Sequence, residues 1–242
     1  APPPSRKLDV SKHRTLANFL KEAGYATCIA GKWHLCNDFA DHPSHVADAG
    51  FQHRFLWRLL RDGKVVRHYW NPELWFKGRP ADERGRGKFG DDLFTQFVID
   101  FIERHRDRPF LAYYPMTLVH SQTATGSNFP ASPDTIRPGA DPDVSAVSKQ
   151  QGFAGLVAYT DKLVGRILDA IDRMGLAEET LVVFIGDNGT DRVITSRLGE
   201  EVIPGGKTRL NDGGTRVPLL VRWTGKVKPG TVADELVDAS DM

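Results

Sequence analysis

The chain has 242 residues, with 32 basic and 31 acidic side chains and a formal net charge of +1. This length suits one large α/β domain, and the balanced charge argues against a nucleic-acid or membrane-surface partner. No run of residues approaches the ~18 consecutive apolar side chains of a membrane span, and the two cysteines, Cys28 and Cys36, lack the spacing of a zinc or redox site.

The first predicted elements are a short helix and a buried strand. Apolar side chains such as Leu16 and Phe19 recur at helical spacing between a candidate N-cap, Thr15, and a helix stop, Gly24. The apolar run Tyr25–Ala30 that follows predicts a short strand, which we expect to be buried.

Two long segments are predicted to be loops. Residues 37–90 show no sustained periodicity, and residues 121–149 are dense in Ser, Thr, Pro, Asp and Gly, which predicts exposed loop. We expect both segments to lie on the active-site side of the domain and to shape the entrance of the pocket. The aromatic side chains of the first segment either stack on a ring of a ligand or anchor the loop. They are Trp57, Tyr69, Trp70, Trp75 and Phe76.

Regular structure returns downstream in an alternating order. Asp91–Arg106 carries an apolar stripe that predicts a helix, and Phe110–Tyr114 predicts a strand. A second long helix is predicted at Phe153–Met174, the β-branched run Thr180–Ile185 predicts a central parallel strand, and Val217–Trp223 is a further strand candidate. This alternation predicts an α/β fold with a doubly wound, mostly parallel sheet and helices on both faces.

Candidate anion-binding residues follow the predicted strands. Lys32 and His34 come directly after the first strand, and alternation places them on one side of the chain. Ligands bind at strand ends in open α/β sheets, so two potential cations there suit an anion, although solvated loop residues have the same composition. His120 follows the strand at 110–114, and Lys207 follows two glycines. Each of these is also compatible with an ordinary surface position.

A candidate metal site follows the strand at 180–185. Asp187 and Asn188 lie within Gly186-Asp187-Asn188-Gly189 and offer a carboxylate and an amide oxygen, ligands suited to calcium or magnesium. The same residues are also common in turns that end a strand.

Taken in order, four stretches of the chain resemble the sulfatase family of the alkaline-phosphatase-like superfamily. They are 15–27 with the lysine–histidine motif at 31–35, then 109–120, 182–189 and 206–219. The resemblance implies a sulfuric ester hydrolase of the arylsulfatase type. It also implies that Asp187 and Asn188 are ligands of a divalent cation, usually calcium with magnesium as the alternative, and that Lys32, His120 and Lys207 bind the sulfate oxygens.

The resemblance further implies a formylglycine nucleophile, which His34 would position and deprotonate, so that His34 and His120 are the catalytic candidates. Formylglycine is made from Cys or Ser in a Cys/Ser-x-Pro-x-Arg motif, and this chain has no complete copy. The stretch ending at Arg6 matches only the end of that motif, with proline in the place of the nucleophile. The family's paired aspartate ligands are expected upstream of Ala1, and a smaller domain after Met242.

We therefore expect residues 1–242 to form a single incomplete sulfatase catalytic domain that is inactive by itself, within an active parent enzyme. The expected substrate is a small-molecule or carbohydrate sulfate ester, and aryl and carbohydrate substrates both remain open. Two other activities compete with this one: a phosphodiesterase or phosphonate monoester hydrolase of the same superfamily, and a non-catalytic anion-binding remnant. The resemblance implies a periplasmic or secreted location, and the sequence defines no oligomeric state.

Overall fold

The computed structural model describes residues 7–36, 41–122, 129–141, 148–238 and 241. In these ranges the helices are α1 (Leu16–Glu22), α2 (His45–Asp48), α3 (Gly90–Arg104), α4 (Lys149–Arg173) and α5 (Asp212–Thr215), with a 3-10 turn at Asp82–Gly85. The strands are β1 (Ala26–Gly31), β2 (His53–Trp57), β3 (Leu60–Arg61), β4 (Lys64–Val65), β5 (Leu74–Phe76), β6 (Arg79–Pro80), β7 (Phe110–Tyr113), β8 (Val182–Ile185), β9 (Thr195–Leu198), β10 (Glu201–Pro204) and β11 (Leu219–Arg222). No helix in the described ranges is long and apolar enough to cross a membrane.

The main sheet has five strands in the order β6-β5-β2-β1-β7. β1 lies between β2 and the edge strand β7 and pairs in parallel with both, with Ala26 opposite Phe110 and Gly31 opposite Leu56. Every residue of β1 is buried, as predicted for the run at 25–30. β5 and β6 extend the sheet in antiparallel pairing at the other edge, so that parallel pairing is confined to β2, β1 and β7.

Alternate residues of β1 face two different cores. Cys28 and Ala30 contribute to one core with side chains of α3 such as Phe94, whereas Ile29 packs into a second core with Ala17 of α1. Because neighbouring residues of a strand point to opposite faces, helices cover both faces of the sheet. The predicted α/β fold with helices on both faces is confirmed.

The first helix begins and ends as predicted. The Thr15 hydroxyl accepts a hydrogen bond from the Asn18 amide, and the Asn18 side chain accepts one from the Thr15 amide, which forms a capping box. Gly24 follows the helix with a φ of +91°. The buried residue of α1 is Ala17. The chain at Gly50 passes close to it, since a Cβ at Gly50 would lie 2.6 Å from the Ala17 carbonyl carbon. Larger apolar side chains on α1 therefore point away from this contact.

The two long helices predicted downstream are confirmed. α3 carries its apolar stripe into the first core. α4 begins four residues before the predicted start, because Ser148 and Gln151 form a capping box ahead of the first apolar residue. Asp92 joins the two helices, since its carboxylate accepts hydrogen bonds from Tyr159, 2.9 Å away, and Arg166, 3.0 Å away.

The segment 37–90 is not irregular as predicted, since its described part contains α2 and three of the five strands of the main sheet. These strands span only two to five residues, too few for a period to be recognised against the surrounding polar residues. The prediction of exposed loop at 121–149 is also wrong in part. Phe129, Ala131 and Ser132 are buried, and the Phe129 backbone packs against Gly152 of α4.

The prediction of a central parallel strand at 180–185 is corrected. The strand exists as β8, but it pairs in antiparallel fashion with β11, with Ile185 opposite Leu219. Among the described residues these two strands form a separate sheet, and Val183 and Ile185 are exposed. The β-branched composition favours an extended chain, but it does not determine which strand lies beside it.

Candidate functional site

The lysine–histidine motif lies where β1 ends. The Lys32 amide donates a hydrogen bond of 2.8 Å to the Pro115 carbonyl, and Gly31 has a φ of +103°. A Cβ at Gly31 would lie 2.3 Å from the Pro115 oxygen, so only glycine allows this approach. Trp33 is buried and donates from Nε1 to His45 Nδ1 at 3.2 Å. Lys32 is half-buried and His34 is exposed, as the predicted alternation requires.

The segment after β7 is held by a buried carboxylate at the start of α3. Asp91 is fully buried, and its side chain accepts hydrogen bonds from the Thr117 amide at 3.1 Å, from the Thr117 hydroxyl, and from the Tyr114 hydroxyl at 3.2 Å. The chain then turns, with the His120 amide donating to the Thr117 carbonyl at 3.0 Å. Asp91 therefore fixes the turn that presents His120.

The ring of His120 has a defined tautomer. Its Nδ1 lies 2.8 Å from the Ser121 carbonyl oxygen, which can only accept, so Nδ1 carries a proton. The His120 carbonyl in turn accepts a hydrogen bond of 2.7 Å from the Tyr69 hydroxyl. The remaining ring nitrogen, Nε2, is left for a ligand.

The candidate metal residues and Lys207 lie on glycine-rich segments in close contact. The Gly189 amide donates to the Gly214 carbonyl at 2.9 Å, and the Lys207 amide donates to the Thr190 carbonyl at 2.9 Å. A Cβ at Gly189 would lie 1.9 Å from the Gly213 oxygen, and one at Gly206 would lie 2.2 Å from the Gly213 carbonyl carbon. These contacts hold Lys207 beside the segment that carries Asp187 and Asn188.

The charges of the predicted site residues act on one another. Burial lowers the pKa of Lys32; the Asp187 carboxylate opposes this shift and the Lys207 ammonium adds to it. Burial also lowers the pKa of His120, with further lowering by Lys207 and Lys32 and opposition from its bond to Ser121 and from Asp187. The pKa of His34 is lowered by burial and by Lys32. These groups form a mainly positive centre suited to an anion.

The candidate metal ligands supply only part of a coordination shell. Asp187 and Asn188 are adjacent and exposed, and their oxygens suit a hard divalent cation. Within the described ranges, no group of three or more His, Cys, Asp or Glu residues could hold a metal ion. Calcium usually takes six to eight oxygen ligands, so the two residues fit the cation in chemistry and fill a fraction of its shell.

Burial decides between the possible roles of several other residues, the two cysteines and the aromatic residues of the segment 37–90. Cys28 and Cys36 are 0% and 1% exposed, and burial raises the pKa of the Cys28 thiol, so neither position suits a nucleophile. Trp57, Tyr69 and Trp75 are buried in the cores and anchor their segment rather than stack on a ligand. Arg6 lies outside the described residues.

Two residues beside the site were not predicted from the sequence. In the sequence Asp91 is only the first residue of the predicted helix at 91–106, and no role is predicted for His68. His68 is fully buried, and its ring centroid lies 5.9 Å from that of His120. The only signal in the sequence was a histidine beside two aromatic residues, Tyr69 and Trp70, in a segment without clear periodicity.

Comparisons with known proteins give matches over nearly the whole chain. A family model described as "Sulfatase" matches residues 4–242. A steryl-sulfatase of Mus musculus is 36% identical over 303 residues, with 94% of this chain and 46% of the relative covered. An arylsulfatase of Hemicentrotus pulcherrimus is 26% identical over 249 residues, with 94% and 41% covered. The chain therefore spans less than half the length of these curated relatives.

A solved structure has the same fold. The crystal structure of Ps i-CgsB superposes with a TM-score of 0.69 at 19% sequence identity, over 93% of this chain and 51% of that chain. At this level of identity the similarity concerns the fold alone.

Proposed function

The chain belongs to the sulfatase family, and from this premise we propose that the full-length gene product hydrolyses sulfate esters. The observation that carries the proposal is the backbone packing that holds Lys32 at the end of β1 against Pro115 and Lys207 beside the segment of Asp187. The charges of these groups and of His120 influence one another, in agreement with this packing. A cluster of three potential cations and one carboxylate suits the oxygens of a sulfate group beside a divalent cation.

The proposed roles follow from the state of each group. Cleavage of a sulfate ester builds negative charge on the leaving oxygen, and preorganised positive groups stabilise that charge. Lys32 and Lys207 would supply fixed positive charge to the sulfate oxygens. His120 would donate from Nε2 once it is protonated, because its Nδ1 proton is already directed to Ser121.

His34 would act differently from His120. It is exposed, and its pKa is lowered by burial of part of the ring and by the Lys32 charge. Near neutral pH it is therefore mostly uncharged and can accept a proton. The pKa of His120 is lowered as well, so the donor role of His120 is assigned from its Nδ1 bond to Ser121 and not from its pKa. We propose that His34 serves as the proton acceptor of the site and that His120 serves as the anion-binding donor.

Sulfatases generally use a divalent metal and a formylglycine nucleophile. In this chain Asp187 and Asn188 would hold the metal, for which we propose calcium, with magnesium as the alternative. When bound, such a cation polarises the group under attack. The names of the relatives include aryl and steryl sulfatases, and we propose a sulfate ester of a small molecule or a carbohydrate as the substrate. We also propose a periplasmic or secreted location, testable by cell fractionation.

The anion site can be tested on this chain directly. Inorganic sulfate is titrated into the wild type and into Lys32→Ala and His120→Ala, with binding followed by calorimetry. We expect at least about tenfold weaker binding in both variants, because each removes a charge-assisted hydrogen bond. Lys21→Ala is the matched control, because Lys21 is exposed at the end of α1, before β1 begins. Equal affinities in all four proteins would refute the site.

The reaction is tested on the full-length gene product. Its kcat/KM is measured for an aryl sulfate and for the matched aryl phosphodiester, with and without a calcium chelator. We expect the sulfate ester to be preferred and the chelator to reduce the rate. A preference for the phosphodiester by orders of magnitude would assign the protein to phosphodiester hydrolysis, and sulfate binding without any turnover would identify an anion-binding protein.

A further inference from the structure

His68 is packed directly behind the anion-binding histidine of the site. It is 0% exposed, and its ring lies between those of Trp57, at a centroid distance of 4.7 Å, and His120, at 5.9 Å with the two planes 73° apart. The backbone of α3 approaches from a further side, because a Cβ at Gly90 would lie 2.2 Å from the His68 carbonyl oxygen. The ring therefore has little freedom to move away from His120.

The hydrogen bonding of the His68 ring is incomplete. Neither Nδ1 nor Nε2 has a partner of ordinary geometry among the described residues, and the same holds for Nε1 of the adjacent Trp57. More than about 90% of buried polar groups in proteins are paired, and an unpaired one costs on the order of 1–3 kcal/mol. A histidine retained in such a position requires a reason other than the stability of the resting site.

The neighbouring residue shows where that reason lies. Tyr69 donates from its hydroxyl to the His120 carbonyl at 2.7 Å and to the Thr117 carbonyl at 3.2 Å. Residues 68 and 69 thus both face the peptide that carries His120. Hydrogen bonds around a catalytic centre are often long or poorly aligned without ligand and tighten when the site is filled.

The charge state of His68 suits a donor that remains neutral. Burial, followed by the charges of His120 and Lys32, lowers the pKa of His68 to about 3, while a hydrogen-bonding contact with the His120 backbone acts in the opposite direction. At any working pH the ring therefore carries one proton, which it can donate, and adds no positive charge to the repulsion among Lys32, Lys207 and His120.

We propose that His68 is a positioning residue for His120: when an anion occupies the site, the contact between one ring N–H of His68 and the His120 carbonyl oxygen tightens into a hydrogen bond of ordinary geometry. Together with Tyr69, this bond holds the peptide of His120 so that Nε2 points at the anion. The inference rests on the proposed function, since it assigns His120 to the sulfate group. It adds a residue that the four motifs do not contain.

Two variants of His68 separate the effect of its N–H donor from the effect of its ring shape. His68→Phe keeps an aromatic ring and removes both nitrogens, whereas His68→Gln restores an N–H donor. We expect His68→Phe to bind inorganic sulfate about tenfold more weakly, the cost of about one hydrogen bond that supports a charged group, and His68→Gln to recover most of the affinity. His53→Phe is the matched control, because His53 packs on Phe101 and His105 at the opposite end of β2.

The kinetic readout uses the full-length gene product with calcium in excess. Positioning of His120 should appear as a raised KM for the sulfate ester and a smaller change in kcat, with recovery in His68→Gln. A merely structural role would lower the unfolding temperature of His68→Phe while sulfate affinity and KM stay at the wild-type values. That result would overturn the proposal.

A measurement on the wild type covers the case in which His68→Phe does not fold. The imidazole nitrogen resonances of His68 are followed by NMR while sulfate is added to this chain. We expect the N–H resonance of His68 to shift downfield together with those of His120, and unchanged His68 resonances would overturn the proposal. The proposed function fails separately, if Lys32→Ala and His120→Ala leave sulfate binding unchanged.

Discussion

The buried carboxyl group of Asp91 should make the stability of this domain fall as the pH rises. Asp91 is fully buried at the start of α3, and burial raises its pKa from 3.8 to about 6. Hydrogen bonds from Thr117 and Tyr114 and from the Leu118 backbone act in the opposite direction and only partly offset the burial. The fold therefore favours the protonated carboxyl group over the carboxylate.

The magnitude and the sign follow from proton linkage. A folded-state pKa near 6 against an unfolded-state value of 3.8 corresponds to about 3 kcal/mol of differential stability. Between these values the folded chain binds more protons than the unfolded chain, so the free energy of unfolding decreases with rising pH. The contribution is complete below about pH 4 and is lost as the pH rises through about 6.

The substitution Asp91→Asn removes this titration at nearly constant volume. Its amide oxygen can still accept from the Thr117 amide, and the Thr117 hydroxyl can rotate to accept from the new NH2 group. We expect the free energy of unfolding of the variant, minus that of the wild type, to increase by about 3 kcal/mol between pH 4 and pH 7. Urea denaturation followed by tryptophan fluorescence at each pH measures this difference.

Asp100→Asn is the control, because Asp100 is an exposed carboxylate on the same helix. Its difference from the wild type should stay nearly constant over the same pH range. A constant difference for Asp91→Asn would refute the argument that burial dominates at this position. A difference that decreases with pH would mean that the hydrogen bonds to the carboxylate outweigh its desolvation.

Three further predictions concern the site and the core. Gly189→Ala should destabilise the domain by about 1–3 kcal/mol and weaken sulfate binding, because its Cβ would meet the Gly213 carbonyl; urea denaturation should show no such loss for Gly165→Ala, where a Cβ meets open space. Sulfate affinity should fall as pH rises, since His120, with its lowered pKa, must take up a proton to donate from Nε2; calorimetry in two buffers should detect that uptake, and its absence would contradict the assignment. The Cys28 thiol should resist a thiol reagent until the chain unfolds, because it is 0% exposed and burial raises its pKa.

The helices α3 and α4 and the strand β1 could be predicted because the residue patterns that indicate them lie within each element. α3 and α4 span 15 and 25 residues, long enough for an apolar period to stand out. β1 is an unbroken apolar run between a helix stop and a charged motif, as expected of a strand buried on both faces. In these elements the apolar residues that form the local pattern are also the residues that pack into the core.

The edge of the sheet and the pairing of β8 could not be predicted for a physical reason. β5 and β6 span three and two residues, and their place in the sheet is set by contacts with β2 rather than by their own pattern. β8 has the composition of an interior strand, yet its neighbour β11 is about 35 residues further along the chain. Which strands pair depends on the route of the chain between them, which single-strand composition does not encode.

His68 could not be predicted because its importance depends on what surrounds it. Nothing in the sequence distinguishes a histidine at position 68 from His42 and His53, the less buried histidines of the same segment. Only the packed structure places it against His120 with neither nitrogen in a hydrogen bond of ordinary geometry. The residues that contact the anion belong to motifs, whereas the residue that would hold one of them in place does not.

The close backbone contacts explain why the motif residues form a site before any ligand binds. Gly31 fixes Lys32 against Pro115, and Gly189 fixes the Asp187 segment against the chain that carries Lys207. Such contacts hold groups that can carry positive charge in partly buried positions, and burial is the main cause of the lowered pKa of Lys32 and of His120. The Asp187 carboxylate raises the pKa of Lys32 by more than the Lys207 ammonium lowers it. A bound anion would act on Lys32 and Lys207 in the same direction as this carboxylate, so it would stabilise their charged forms.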